Sequence, residues 1–122
     1  MIQESQHIKG LHHIAIICSS EISVSFYEKL GFKVTSRIDR GYDILVFMSG
    51  YGLTLELFVD DKHPQRVDRP EALGLRHLAL KVDDVEKTIA ELEIDTEPIR
   101  ESDGKRFTFF KDPDGLPIEL HE

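Results

Sequence analysis

The chain has 122 residues, 40% of them hydrophobic and 31% charged, with a formal net charge of −8. That length suits one domain with a modest core, and the acidic balance argues against nucleic acid or an anionic membrane as a partner, because both bind basic footprints. No apolar run is long enough to span a bilayer, Met1 to His7 lack the basic and apolar stretches of a secretory leader, and the single Cys18 has no internal disulfide partner, so a cytoplasmic protein is expected.

Leu11 to Cys18 is an apolar run of strand length. Ser20 is a plausible N-cap, and Ile22, Phe26 and Leu30 then recur every four residues as one face of a helix that Gly31 ends. Phe32 to Asp39, Tyr42 to Met48 and Leu53 to Asp60 read as strands, separated by Gly41 and by Ser49-Gly50 with Gly52. Residues 61–73 are polar, carry Pro64 and Pro70 and have no period, which makes them a linker. Gly74 to Val82 is again a strand. Asp83-x-x-Glu86 resembles a capping box, and Val85, Ile89 and Leu92 form the apolar stripe of a short helix. Glu97 to Glu101, Phe107 to Lys111 and Leu116 to His121 complete the strands, the last preceded by the turn Asp112-Pro113-Asp114-Gly115. Each half, residues 8–60 and 74–122, is thus strand, helix and three strands, an α+β plan within one domain spanning 1–122.

The halves also share residues. Gly10-Leu11-His12-His13-Ile14-Ala15-Ile16 returns as Gly74-Leu75-Arg76-His77-Leu78-Ala79-Leu80, and Leu55-Glu56-Leu57 returns as Ile118-Glu119-Leu120. Strand parity then decides which side chains share a face. Leu53, Leu55, Leu57 and Val59 take one face of their strand and Thr54, Glu56 and Phe58 the other; Ile118 and Leu120 oppose Glu119 and His121 in the same way. His13 and His77 alternate against the apolar Ile14/Ile16 and Leu78/Leu80. His13, Glu56, His77 and Glu119 therefore all lie on the non-core faces, and if those faces curl together they gather two imidazoles and two carboxylates, a donor set for a divalent metal. By the same parity His12 points to the other side and is no ligand. His121 is a rim residue, and His7 and His63 are solvated in a tail and a loop. Phe58 could line the cavity or the core. Parity leaves open whether Phe107 and Phe109 or Thr108 and Phe110 face inward.

With these motifs in view, the chain resembles the vicinal oxygen chelate superfamily, which includes glyoxalase I, fosfomycin-resistance thiol transferases, extradiol dioxygenases and bleomycin-binding proteins. The similarity covers essentially the whole chain. It rests on His13 in Leu11-His12-His13-Ile14-Ala15-Ile16, on Phe26-Tyr27 followed by Leu30-Gly31-Phe32, on Glu56 in Thr54-Leu55-Glu56-Leu57-Phe58, on His77 in Leu75-Arg76-His77-Leu78-Ala79, and on Glu119 at the end of Asp112-Pro113-Asp114-Gly115-Leu116-Pro117-Ile118-Glu119. The resemblance implies two βαβββ modules forming an eight-stranded, cup-shaped sheet with helices outside. It implies a metal held by His13, Glu56, His77 and Glu119, with all four ligands from one chain or a pair from each chain of a homodimer.

Nickel, zinc or cobalt suit those ligands best, with manganese or iron as alternatives. Such an ion would acidify a C–H beside a carbonyl, and Glu56 or Glu119 could act as the base. The expected function is that of a glyoxalase-I-type lyase or isomerase acting on a small α-oxo or α-hydroxycarbonyl substrate, with the methylglyoxal–glutathione hemithioacetal as the named candidate. A metal-containing antibiotic or metabolite binder and a ring-cleaving dioxygenase are the alternatives. Two departures weaken glutathione recognition: Ile17 stands where glyoxalase I typically has an arginine, and Asp60 where it has an asparagine. Arg66, Arg69, Lys105 and Arg106 are the candidates for holding an anionic substrate, against the commoner reading of solvated loop charges.

Overall fold

The computed structural model describes residues 4–122; residues 1–3, part of the segment read for a leader, lie outside them. The elements are β1 (Ile14–Cys18), α1 (Ile22–Lys29), β2 (Lys33–Asp39), β3 (Ile44–Gly50), β4 (Leu53–Val59), β5 (Leu78–Lys81), α2 (Val85–Leu92), β6 (Arg100–Ser102), β7 (Lys105–Lys111) and β8 (Pro117–His121). They form two four-stranded mixed sheets ordered β1-β4-β3-β2 and β5-β8-β7-β6, the α+β plan expected. In each sheet the first strand pairs parallel with the last strand of its half and is left as an edge, while the other pairings are antiparallel. Among the described residues, no strand of one sheet pairs with a strand of the other.

The alternation in β4 and β8 decides which face packs. Leu55, Leu57, Ile118 and Leu120 are all buried and join one cluster drawn from both halves, with Val24 and Tyr27 of α1 and Phe110 of β7. Thr108 and Phe110 take the core side of β7, which settles its parity. Phe107 and Phe109 thus stand on the face of Glu119. Cys18 is buried in the same core, and burial pushes its thiol up to about 12, far from reactivity.

Three local expectations shift. Both apolar runs begin later as strands than their composition indicates: Leu11 and Leu75 are exposed, and pairing starts at Ile14 and Leu78. Asp84, not Asp83, caps α2, accepting a hydrogen bond from the Lys87 amide at 2.9 Å. In α1 the buried face is Ser23, Val24 and Tyr27, followed by Leu30, while Ile22 is exposed. Polar contacts explain that rotation. The Tyr27 hydroxyl donates to the buried Asp112 carboxylate at 2.8 Å, and Ser23 and Ser19 both bond Asp114. Asp112 also accepts the amides of Asp114 and Leu116 at 2.9 Å. The turn before β8 therefore docks the second half onto the first half's helix.

Tyr27→Phe keeps the ring but leaves an Asp112 oxygen buried without its donor, so the stability measured by urea unfolding should fall by about 1–3 kcal/mol. A loss below about 0.5 kcal/mol would mean that water replaces the hydroxyl and that this joint is weaker than drawn.

Candidate metal-binding site

His13 and His77 each lie one residue ahead of an edge strand, and Glu56 and Glu119 lie on the strand paired to it. The parallel registers match: Ala15 is opposite Glu56 and Ala79 opposite Glu119. In each half this brings an imidazole Nε2 to a carboxylate Oε1, at 3.5 Å for His13–Glu56 and 2.9 Å for His77–Glu119. Both carboxylates are largely buried, with side-chain exposures of 13% and 12%. Each pair offers one nitrogen and one carboxylate to a cation. The two pairs do not converge within the chain: among the described residues, no three His, Cys, Asp or Glu side chains are grouped so as to hold a metal.

A phenylalanine stands directly opposite each glutamate on its other side, Phe47 across from Glu56 and Phe109 across from Glu119. This third repeated position escapes a reading of the His and Glu motifs alone, although the matching spacing was present to find it. Phe109 packs edge-on to His77 with ring centroids 5.1 Å apart. His121 stacks on Phe107 at the rim, as its parity predicts. Phe58 is half-buried on the Glu56 face.

His12 departs from its parity. Because pairing begins only at Ile14, strand alternation does not govern it, and its Nδ1 lies 2.9 Å from Nδ1 of His13. At the matched place in the second half, Arg76 Nη1 lies 3.0 Å from His77 Nδ1. Each candidate ligand thus has its outer nitrogen met by the residue before it.

The basic residues are also redistributed. Arg106 is tied to Glu122 and Glu86, whose carboxylates reach it at 2.7 Å; its bond, then the Val85 amide, holds the Glu122 carboxyl down at about 2. Arg66 donates to the carbonyl of Arg76 and pins the linker. Lys105 and Arg69 are exposed and have no ion pair among the described residues. The guanidinium groups on the faces of the two pairs are instead Arg40, over Tyr42 and Phe58, and Arg76 and Arg100, both over Phe109. Ile17 and Asp60 stand at the end of the first pair's strands, Ile17 exposed and Asp60 bonded through its carboxylate to the Lys62 amide. His7 and His63 are exposed in the tail and the loop, as expected.

Comparison with known proteins places this geometry. Residues 10–120 match the Glyoxalase/Bleomycin resistance protein/Dioxygenase superfamily. The chain is 51% identical to the uncharacterized protein YwkD of Bacillus subtilis (strain 168), over 94% of this chain and 98% of that one. It is 46% identical to a glyoxalase family protein from Enterococcus faecalis whose crystal structure superposes with a TM-score of 0.86, covering 93% of this chain and 98% of that one. The fold extends to more distant structures. A lactoylglutathione lyase from Agrobacterium tumefaciens has a TM-score of 0.67 at 21% identity, covering 96% of each chain. A mutant of the fosfomycin resistance protein FosX from Listeria monocytogenes, complexed with Mn(II) and a dihydroxypropylphosphonic acid, has a TM-score of 0.71 at 20% identity, covering 93% of this chain and 90% of that one. Among the described residues, no helix is long and apolar enough to cross a membrane. The chain belongs to the Glyoxalase/Bleomycin resistance protein/Dioxygenase superfamily, whose members are generally enzymes acting on small molecules.

Proposed function

We propose that the protein is a divalent-metal-dependent lyase or isomerase of the glyoxalase I type. On this reading His13 and Glu56 of one copy and His77 and Glu119 of a second hold the ion. The observation that carries the proposal is the pair of equivalent His–Glu clusters, each half of a metal site and each set beside an open edge strand. A carboxylate that is nearly buried with a lone imidazole for company is a poor structural choice and a good half-site for a cation.

Several features support a second copy as the partner. A cleft of about 870 Å³ runs along β1, lined by the linker, His77 and the Asp112–Leu116 turn. Ile17 of β1, Val67 and Leu73 of the linker and Leu75 ahead of β5 line it while remaining largely exposed, an apolar patch that a partner would cover. A two-fold dimer would cover this surface twice and build two sites.

Bound there, a divalent ion would polarise adjacent oxygens of a substrate and acidify the C–H between them. The protein's own part is proton movement. Glu56 or Glu119 takes the proton from the hydroxyl-bearing carbon and returns it to the neighbouring carbonyl carbon, while the hydroxyl proton passes to the other oxygen. No oxidant or second substrate is consumed. The phenylalanines opposite each glutamate keep bulk water from the carboxylates. The lyase and FosX neighbours support small substrates with adjacent oxygens.

Turnover of the methylglyoxal–glutathione hemithioacetal should appear on reloading with one of Ni²⁺, Co²⁺, Zn²⁺ or Mn²⁺ and vanish in Glu119→Gln. Stoichiometric metal without turnover would leave the site but remove this substrate.

Sharing between copies has its own test. The double variants His13→Ala/Glu56→Ala and His77→Ala/Glu119→Ala should each bind no metal. Co-expressed, they should recover about a quarter of the wild-type content, because half the dimers are mixed and each of those rebuilds one of its two sites. No recovery on co-expression would place all four ligands within one chain, and metal held by either variant alone would mean that a single His–Glu pair suffices.

His12→Ala should retain stoichiometric metal while weakening its affinity by about 10-fold, since only the outer contact to His13 is lost. An affinity unchanged from wild type would make that contact incidental.

A further inference from the structure

The two faces that meet in the proposed site have diverged everywhere except at the His, Ala, Glu and Phe positions. Across from β4, the first half presents Ile17 opposite Phe58 and Leu45 on the far side of Phe58, an apolar surface. At the matched positions the second half has Lys81 opposite His121 and Phe107 on its far side. It also gathers two guanidinium groups on one ring. Arg76 lies 5.7 Å from the centroid of Phe109, the residue that faces Glu119 and touches His77, and Arg100 lies over both Phe107 and Phe109, at 5.6 and 5.8 Å. In a chain of net charge −8, this gathers two cationic groups beside one candidate ligand pair.

Both arginines are held in place. Glu71 Oε2 meets Arg76 Nε at 2.6 Å, and Glu97 Oε1 meets Arg100 Nη2 at 3.1 Å. Arg76 Nη1 also meets His77 Nδ1 at 3.0 Å, whereas Glu97 engages only one edge of the Arg100 guanidinium. Among the described residues, Arg76 Nη2 and Arg100 Nε and Nη1 make no hydrogen bond. The rings take up the guanidinium faces, so the donors left over lie along the edges, where an oxyanion is bound. Arg40, the corresponding cation of the first half, is differently placed. Its Nε and Nη2 are both taken by Asp43, at 2.7 and 2.6 Å.

We propose that Arg76 and Arg100 form the anion subsite of the active site, so that the substrate is a small molecule with adjacent oxygens at one end and a carboxylate or phosphonate at the other. The inference rests on the metal-site reading above. It assigns the anionic end to the second half's face, and the uncharged body of the substrate to the apolar face supplied by Ile17, Leu45 and Phe58 of the other copy. Glutathione's carboxylates, by contrast, find no cation at Ile17 or Asp60.

The probes are three hydroxamates, which chelate a metal through two adjacent oxygens: acetohydroxamate, which is neutral, succinic monohydroxamate, which adds a carboxylate, and a phosphonate-tailed hydroxamate of equal length. Titrated into Co²⁺-loaded protein and followed by the cobalt visible spectrum, a charged probe should bind at least ~10-fold more tightly than the neutral one. The tighter of the two charged probes names the tail. In Arg100→Met, which leaves the Arg76–His77 contact in place, that advantage should fall by at least about 3-fold while acetohydroxamate affinity and cobalt content stay unchanged. Equal binding of neutral and charged probes by the wild type, or an advantage that survives undiminished in Arg100→Met, overturns the subsite. A protein that takes up no Co²⁺ refutes the metal reading instead. The subsite is then judged without metal, by titrating succinate and following the ¹⁵N signals of the arginine Nε–H groups. Saturable shifts at Arg76 and Arg100 uphold it and their absence overturns it.

Discussion

In each half a parallel pairing holds together two strands that the chain separates by a helix and two further strands. The antiparallel neighbours could be joined by tight turns, but the parallel pairs β1–β4 and β5–β8 need the crossover that α1 and α2 supply. The register of that pairing sets an edge-strand alanine beside a glutamate, and the histidine two residues before the alanine reaches back to the same carboxylate. A slip of one residue would turn Glu56 or Glu119 into the core and its leucine neighbours out to solvent. The leucines and isoleucines flanking each glutamate are thus what keeps the acid on the open face. Hydrophobic packing in β4 and β8 and the chemistry of the site are one constraint read from two sides of a sheet.

The same logic explains why so much of the site was legible. Repetition gave the partners, alternation gave the faces, and both depend only on a period of two. Legibility ended where the period did. His12 lies before the first paired residue, so no alternation governs its ring, and it turned to His13. Arg76 and Arg100 depend on side-chain reach across strands, which parity does not measure. In α1 Phe26 and Leu30 pack against the core as their spacing predicts, but Ile22 is exposed and Ser23, Val24 and Tyr27 are buried, because the hydroxyls of Ser23 and Tyr27 reach the Asp112–Asp114 turn. Hydrophobicity misplaced only Ile22 in that stripe, because satisfying a buried carboxylate outweighs leaving one isoleucine exposed.

That turn has a larger part than its sequence conveys. Among the described residues the two sheets share no strand pairing, and one apolar cluster joins them together with the carboxylates of Asp112 and Asp114. Apolar contact alone is tolerant of sliding and rotation. The hydrogen bonds from Tyr27, Ser19 and Ser23 fix direction as well as distance. They hold the start of β8, and with it Glu119, in a set relation to β1, which begins one residue after His13. Burial and the neighbouring Asp112 drive the Tyr27 phenol well above its ordinary range, so it stays a donor at any pH the fold survives.

A fixed angle between the halves matters most for a site that neither half completes. If each chain lends one pair to each of two sites, an error in the angle displaces the first pair in one site and the second pair in the other. Rigid coupling within the chain is then a condition for metal geometry between chains. It also gives the asymmetry of the faces a use. Two identical halves would build a site with the same surface on both walls, able to hold a symmetric ligand but not to orient an unsymmetric one. Here one wall carries Ile17, Leu45 and Phe58, and the other Lys81, Arg76 and Arg100. Retention of the His–Glu pairs in both halves, with divergence around them, is what a duplicated module would need to bind one substrate in one direction.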